Sequence, residues 1–175
     1  MKRDRVKKIC FYGPESTGKS TLAKYVAQIY DAVFVPEVAR EFIADNNFTI
    51  EEIIQIGQAQ TERILEATTY ADKIIFCDTD LITTQIYSRY YLNTIPAVLF
   101  ELEKAVSFDL YFLMDIDVPW IADGLRDLGN RRQEMFDVFK HELEIRDIPY
   151  TLVRGDWEAR KDLVKKKIDL LISDQ

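Results

Sequence analysis

Histidine is almost missing from this chain: the 175 residues hold one, His141. Imidazole acid–base chemistry and a histidine-rich metal site are therefore not what the fold is built around. His141 itself, in "FKHELE", reads as a surface position on a helix. Cysteine is nearly as scarce. Cys10 and Cys77 both fall inside apolar runs, which reads as two buried thiols rather than a disulfide and fits a reducing cytoplasm. No run approaches the ~20 apolar residues of a membrane helix. The start, "MKRDRVKKICFYG", is basic and then apolar, but its apolar part is too short for a secretory signal. Flexible hinges, low-complexity stretches and repeats are lacking too, so 1–175 is read as one domain. Positive charge is in deficit: 23 Lys and Arg against 30 Asp and Glu leave a net charge of -7. That sign disfavours a partner held by its phosphate backbone, so neither nucleic acid nor membrane is expected. The dense basic run Lys165–Lys167 lies in a helical pattern and reads as a solvated face.

What is present is an alternation. Short apolar or aromatic runs bounded by Gly, Pro or Asp predict strands at Lys8–Tyr12, Ala32–Val35, Lys73–Cys77, Leu110–Met114 and Tyr150–Val153. Their nearly continuous apolar character suits parallel strands buried on both faces. Between them, helical periodicity predicts helices from about Gly18 to Tyr30, Leu81–Tyr91, Ala97–Val106, Gln133–Arg146 and Trp157–Ile172. In the first, Leu22, Val26, Ile29 and Tyr30 share one face. Thr49 and Glu52 form a capping box that opens a further helix to about Thr69. The pattern predicts an α/β fold, a five-stranded parallel sheet sandwiched by helices, with ligands at the carboxyl ends of the strands.

The first strand runs into "GPESTGKS", a G-x-x-x-x-G-K-S phosphate loop that opens a helix, as the motif requires. Glycines let successive N–H groups turn toward phosphate oxygens, and the helix dipole adds positive potential. Gly13, Glu15, Ser16, Thr17, Gly18, Lys19, Ser20 and Thr21 are thus expected to hold ATP, with Lys19 on the β- and γ-phosphates and Ser20 on Mg²⁺.

Three classes share such a loop. A GTP switch needs Asn-Lys-x-Asp and Asp-x-x-Gly strings, and neither occurs. A hydrolytic ATPase usually ends its third strand in Asp-Glu, whereas "KIIFC" is followed by "DTD". Asp78 can serve the Mg²⁺ shell, but no water-activating Glu follows. A small-molecule kinase remains. It needs a carboxylate to take the proton of an attacking hydroxyl and arginines to neutralise the migrating group. Glu37 follows the second strand candidate, and Asp78 and Asp80 follow the third. Arg126, Arg131 and Arg132 lie in a Gly-containing segment, about 121–132, where a lid is expected. Structural uses stand beside these: Glu37 as a first-turn helix residue, Asp78 as an N-cap, the arginines as solvated surface. Which of Glu37 and Asp78 is the base stays open, as do the oligomeric state and the adenine contacts, for which "RGDWEAR" (Arg154–Arg160) is the candidate wall.

The strings "GPESTGKSTLA", "VPEVAREF", "DTDLITTQIYSRYY", "DLYFLMDIDVPWIADGLRD" and "IPYTLVRGDWEAR" occur in that order. Together they resemble the ribosylnicotinamide kinase domain of bacterial bifunctional NAD-biosynthesis proteins, over roughly Lys8 to Arg160. The resemblance implies a P-loop kinase that uses ATP and Mg²⁺ to phosphorylate the 5′-hydroxyl of nicotinamide riboside. It implies Lys19, Glu37, Asp78 and Arg126 as catalytic residues, Ser20 and Asp78 at the metal, and Arg131 and Arg132 on the nucleotide. It puts Glu37, Arg40, Asp80, Asp117 and Asp123 on the substrate side. Trp120 is placed to stack on the pyridinium ring, with Tyr87 as an opposing aromatic. The nucleotidyltransferase signature and helix-turn-helix of larger family members find no counterpart, so the kinase alone is expected. The alternatives are a kinase of another nucleoside or small alcohol, and a regulator that binds ATP without an acceptor.

Overall fold

The architecture follows from where apolar side chains sit along each segment. The computed structural model describes residues 5–121 and 125–173. Five strands, β1 (Lys7–Tyr12), β2 (Val33–Val35), β3 (Ile74–Asp78), β4 (Leu110–Met114) and β5 (Thr151–Val153), form one sheet in the order β2-β3-β1-β4-β5. All pairings are parallel, with Lys8 opposite Ile75 and Ile9 opposite Leu110. Helices α1 (Lys19–Ile29), α2 (Ala39–Phe42), α3 (Ile50–Tyr70), α4 (Leu81–Leu92), α5 (Ala97–Ala105), α6 (Arg132–Glu144) and α7 (Trp157–Ser173) make the connections.

Strand alternation divides the core. Ile9 and Phe11 of β1 pack with Leu22 and Val26 of α1 and Val164 and Ile168 of α7. Cys10 and Tyr12 point the other way, into a cluster with Ile82 and Ile86 of α4 and Met135 and Phe139 of α6. Both cysteines are free and buried. The helix α3 covers the β2–β3 side through Ile64 and Ala67, and with α5 it builds a smaller cluster around Val38, Phe48, Ile53 and Leu99. Arg146 ties three helices together, bonding Gln85 of α4, Glu103 of α5 and Glu142 of α6. No helix of the described residues is long and apolar enough to cross a membrane.

The α3 capping box forms in full, with the Thr49 side chain accepting from Glu52 N–H and Glu52 accepting from Thr49 N–H. The α1 face differs: Leu22, Ala23, Val26 and Ala27 are buried, while Ile29 is 44% exposed. The two small alanines let that stripe approach the sheet, which leaves Ile29 on the rim.

Candidate active site

The turn after β1 is built by residues that tolerate unusual backbone. Gly13 has φ 143°, and a Cβ there would come within 3.0 Å of the Met114 carbonyl oxygen. Only glycine allows β1 to turn while lying against β4. Ser16 (φ 59°) and Gly18 (φ 84°) are also in the left-handed half of the map. The loop is braced internally: Thr17 Oγ1 donates to the Pro14 carbonyl at 2.9 Å, and Lys19 Nζ donates to the same oxygen at 2.7 Å. A second brace comes from α7. Arg160, 2% exposed, donates to the carbonyls of Thr17 (3.0 Å), Gly155 (2.9 Å) and Asp115 (3.2 Å), and pairs with the Asp117 carboxylate.

A cavity opens from this loop along the carboxyl edge of the sheet. At one end lie Glu15 to Thr21; Asp78, Thr79 and Glu37 follow at the ends of β3 and β2. The far end is largely apolar, lined by Ala39, Ile43, Phe48, Ile53 and Ile56, with Asn46, Gln60, Thr83, Thr84, Tyr87, Leu125 and Arg126 around it. Asn46 Nδ2 donates to the Leu125 carbonyl at 2.9 Å, which joins the two walls across the top.

Ser20 Oγ donates to Asp78 Oδ2 in a short contact, and Asp78 Oδ1 is buried with no partner among the described residues. A hydroxyl beside a carboxylate with an unused oxygen suits magnesium, which typically takes one or two protein oxygens and completes its octahedron with water and phosphate. Glu37 is half-buried. Desolvation raises its pKa, the Asp78 carboxylate raises it further, and Lys19, Arg40 and Arg126 pull it back down. Gln60 of α3, buried, holds the peptide on either side of Glu37. Its Oε1 accepts from Val38 N–H at 3.1 Å, and its Nε2 donates to the Pro36 carbonyl at 3.4 Å. Tyr87 presents an aromatic wall, stacked on Tyr91 (6.2 Å, 27°) and edge-on to Phe139.

Lys19, Ser20, Glu37, Arg40, Asp78, Tyr87 and Arg126 therefore come together around one space. Others do not. Asp80 lies outside the cavity lining and caps α4: its Oδ1 accepts from Thr83 N–H and Oγ1, and its Oδ2 from Tyr111. Burial raises its pKa to about 6. Asp117 also lies outside, held by Arg160 and by Gly155 N–H. Both carboxylates are spent on the framework, because each faces backbone donors that must be satisfied. Trp120 does not line the cavity either. Its indole lies on Gly129, where a Cβ would meet three ring atoms at 2.7–2.8 Å. Arg131 reaches Tyr90, and Arg132 reaches the Ser16 carbonyl at 3.4 Å. Segments on both sides of residues 122–124 rest on the loop, through Ile121 N–H to Ser16 Oγ (2.8 Å) and Leu128 N–H to Glu15 (3.3 Å). Asp123 lies outside the described residues. Sequence reasoning did not single out Thr79, Gln60 or Phe48, and it named Arg160 only as the end of the candidate adenine wall, not as a brace of the loop. Only Arg160 carried a signal, a lone arginine facing the apolar stripe of a terminal helix.

Comparison with known proteins adds the lineage. Residues 8–160 match the family model described as AAA domain, so the chain belongs to that family. It is 31% identical over 164 residues to the trifunctional NAD biosynthesis/regulator protein NadR of Escherichia coli K12, an alignment covering 89% of this chain and 40% of the relative. The chain thus spans well under half the length of the curated relatives it matches. Among solved structures, a NadR protein in complex with NR superposes with TM-score 0.70 at 22% identity, over 89% of this chain and 45% of that one. Thymidylate kinase from Ehrlichia chaffeensis superposes with TM-score 0.68 at 18% identity, over 93% and 98%. The fold is that of P-loop NTPases of the nucleoside- and nucleotide-kinase type.

Proposed function

We propose that this member of the AAA domain family is a kinase that transfers the γ-phosphoryl group of ATP to the 5′-hydroxyl of nicotinamide riboside, giving nicotinamide mononucleotide and ADP. One observation carries the reading. A single cavity runs from a phosphate loop, past a carboxylate of raised pKa, to a wall of aromatic and aliphatic side chains. A hydrolase has no use for that far wall. The identity to an NAD biosynthesis protein, and the likeness of fold to a NadR protein bound to NR, favour nicotinamide riboside as the occupant.

The residues divide the work. The loop amides and Lys19 hold the phosphates and supply positive charge where negative charge gathers. Ser20 and Asp78 would hold Mg²⁺, which when bound neutralises phosphate charge. This assigns Asp78, already engaged with Ser20, to the metal side and leaves Glu37 to take the proton of the acceptor hydroxyl. Gln60 keeps the Glu37 backbone still, so the proton acceptor is held in place rather than swinging on a free loop. Lys19, Arg40 and Arg126 lower the Glu37 pKa against desolvation and so favour the ionised form that accepts a proton. Tyr87 offers its ring to a flat cation, worth about 0.5–2 kcal/mol according to desolvation. Trp120, seated on Gly129, supports the segment that carries Arg126.

The test is turnover. Protein, Mg·ATP and a panel of nicotinamide riboside, the common nucleosides and shikimate are assayed for ADP and for phosphorylated product. Nicotinamide mononucleotide is expected to form fastest. ADP release driven by another panel member, with none from nicotinamide riboside, would sink the substrate assignment in favour of a kinase of that other alcohol. ATP binding with no acceptor turnover would sink the kinase reading itself.

A further inference from the structure

Three independent observations meet at Thr79. Its φ is 80°, a region that β-branched residues avoid because the branched Cβ crowds the backbone. Its N–H donates to the Phe11 carbonyl at 3.0 Å, so the unfavourable conformation is held by the end of β1. Thr79 is among the residues lining the cavity and is 3% exposed, and its buried hydroxyl has no hydrogen-bond partner among the described residues. A strained backbone that holds a buried, unpaired hydroxyl at the wall of a cavity points to a ligand that completes it.

Its place in the sheet says which ligand atom. The strand β3 lies between β1, which leads to the phosphate loop, and β2, which leads to Glu37. Thr79 therefore stands between donor and acceptor ends. The acceptor hydroxyl needs a proton acceptor, and Glu37 supplies it. The phosphoryl group in transit spreads negative charge over three oxygens and needs donors. Asp78, the neighbouring carboxylate, offers none when ionised.

We propose that Thr79 is a catalytic residue whose hydroxyl donates a hydrogen bond to a non-bridging oxygen of the phosphoryl group as it crosses. The assignment rests on the phosphotransfer reading above. Thr79 keeps its proton throughout. The bond from phosphorus to the β–γ bridging oxygen breaks, the bond to the acceptor oxygen forms, and the acceptor proton goes to Glu37.

The test uses the full chain with Thr79→Val and Thr79→Ser. Valine keeps the branch, and with it the backbone strain, while removing only the unpaired hydroxyl. It should leave the Tm at or above that of the wild type, because a buried polar group without a partner weighs against the free protein. It should lower kcat by roughly 100-fold, as for loss of one transition-state donor, with KM for ATP and acceptor little changed. Serine should restore most of kcat. ADP with aluminium fluoride, a planar phosphoryl mimic, gives a readout that needs no acceptor. By calorimetry the mimic should tighten ADP binding in the wild type and in the serine variant, and much less in the valine variant. A lower Tm for Thr79→Val would make the hydroxyl structural and overturn the proposal. So would an unchanged kcat with an unchanged gain from the mimic. A raised acceptor KM at constant kcat would place the hydroxyl on the acceptor instead. If no panel member is phosphorylated, the functional reading fails, while the mimic still decides the case of Thr79.

Discussion

Replacing Arg160 by Met should weaken both the fold and the phosphate loop, by amounts that the hydrogen bonds allow to be worked out. Methionine keeps much of the apolar stem and removes every donor. Of the three carbonyls that lose a partner, Gly155 belongs to an exposed residue and Asp115 to a half-buried one, and water can replace the guanidinium at both. Thr17 is 1% exposed, so its carbonyl is orphaned, at about 1–3 kcal/mol. The pair with partly exposed Asp117 adds up to about 1 kcal/mol. The total of about 1–4 kcal/mol corresponds, for a domain of this size, to a Tm lower by about 2–15 °C. A second effect follows from peptide geometry. No cis peptide bond is present among the described residues, so the Thr17 carbonyl and the Gly18 N–H point in opposite directions. Arg160, by pulling the carbonyl one way, aims the Gly18 N–H the other way, and Gly18 lines the cavity. ATP affinity should therefore fall together with the melting temperature. Circular dichroism melts and calorimetric ATP titrations, run on protein still folded at the titration temperature, measure the two. A Tm within about 2 °C of the wild type would refute the stability argument. A lowered Tm with unchanged ATP affinity would refute the peptide-plane argument alone.

Two further outcomes concern pH. Arg126 is one of three cations that lower the Glu37 pKa against desolvation, so Arg126→Gln should raise that pKa. A base must be deprotonated to act, so the acid limb of the kcat/KM profile should move to higher pH in the variant; a limb that stays, or moves down, would remove Glu37 as the base. Asp80 has its pKa raised from 3.8 to about 6 by burial. Between those values the folded state binds more protons than the unfolded one, so this residue's contribution falls as pH rises and is fully lost above about pH 6. Asp80→Asn can keep the cap and should gain stability relative to the wild type between about pH 4 and pH 7; parallel stability curves across that range would contradict the assignment.

Much of this was legible in the sequence, and the reasons are local. The strands carry unbroken apolar runs, so their limits were readable to within one residue, Leu110–Met114 without error. The Thr49–Glu52 box announced α3 because both halves of the cap lie in the sequence. The four-residue α2 and the 3₁₀ turn at Gly129–Arg131 have no such signature, being too short for a periodic face. At the site, charged side chains next to strand ends are legible, whereas uncharged ones such as Thr79 are not. Gln60 and Phe48 enter the cavity through the packing of α3, and nothing in their neighbours marks them. Asp80 and Asp117 show the reverse difficulty. A carboxylate beside a strand end looks the same on paper whether it meets a ligand or a backbone N–H, and here both meet the backbone.

The strand order has a consequence for how the molecule assembles. The phosphate loop hangs from β1, yet the neighbours of β1 lie far along the chain: Lys7 pairs with Ile74, and Tyr12 with Leu113. Each pairing closes a long loop before any contact repays it, a cost that grows with the logarithm of loop length. Parallel sheets with such distant partners fold slowly. The loop that binds phosphate is thus encoded in the first twenty or so residues, but it can take shape only after strands coded much later arrive beside it. A ligand that fits the finished loop would select the completed sheet over every partly paired intermediate, so added nucleotide should act on this chain as a folding aid.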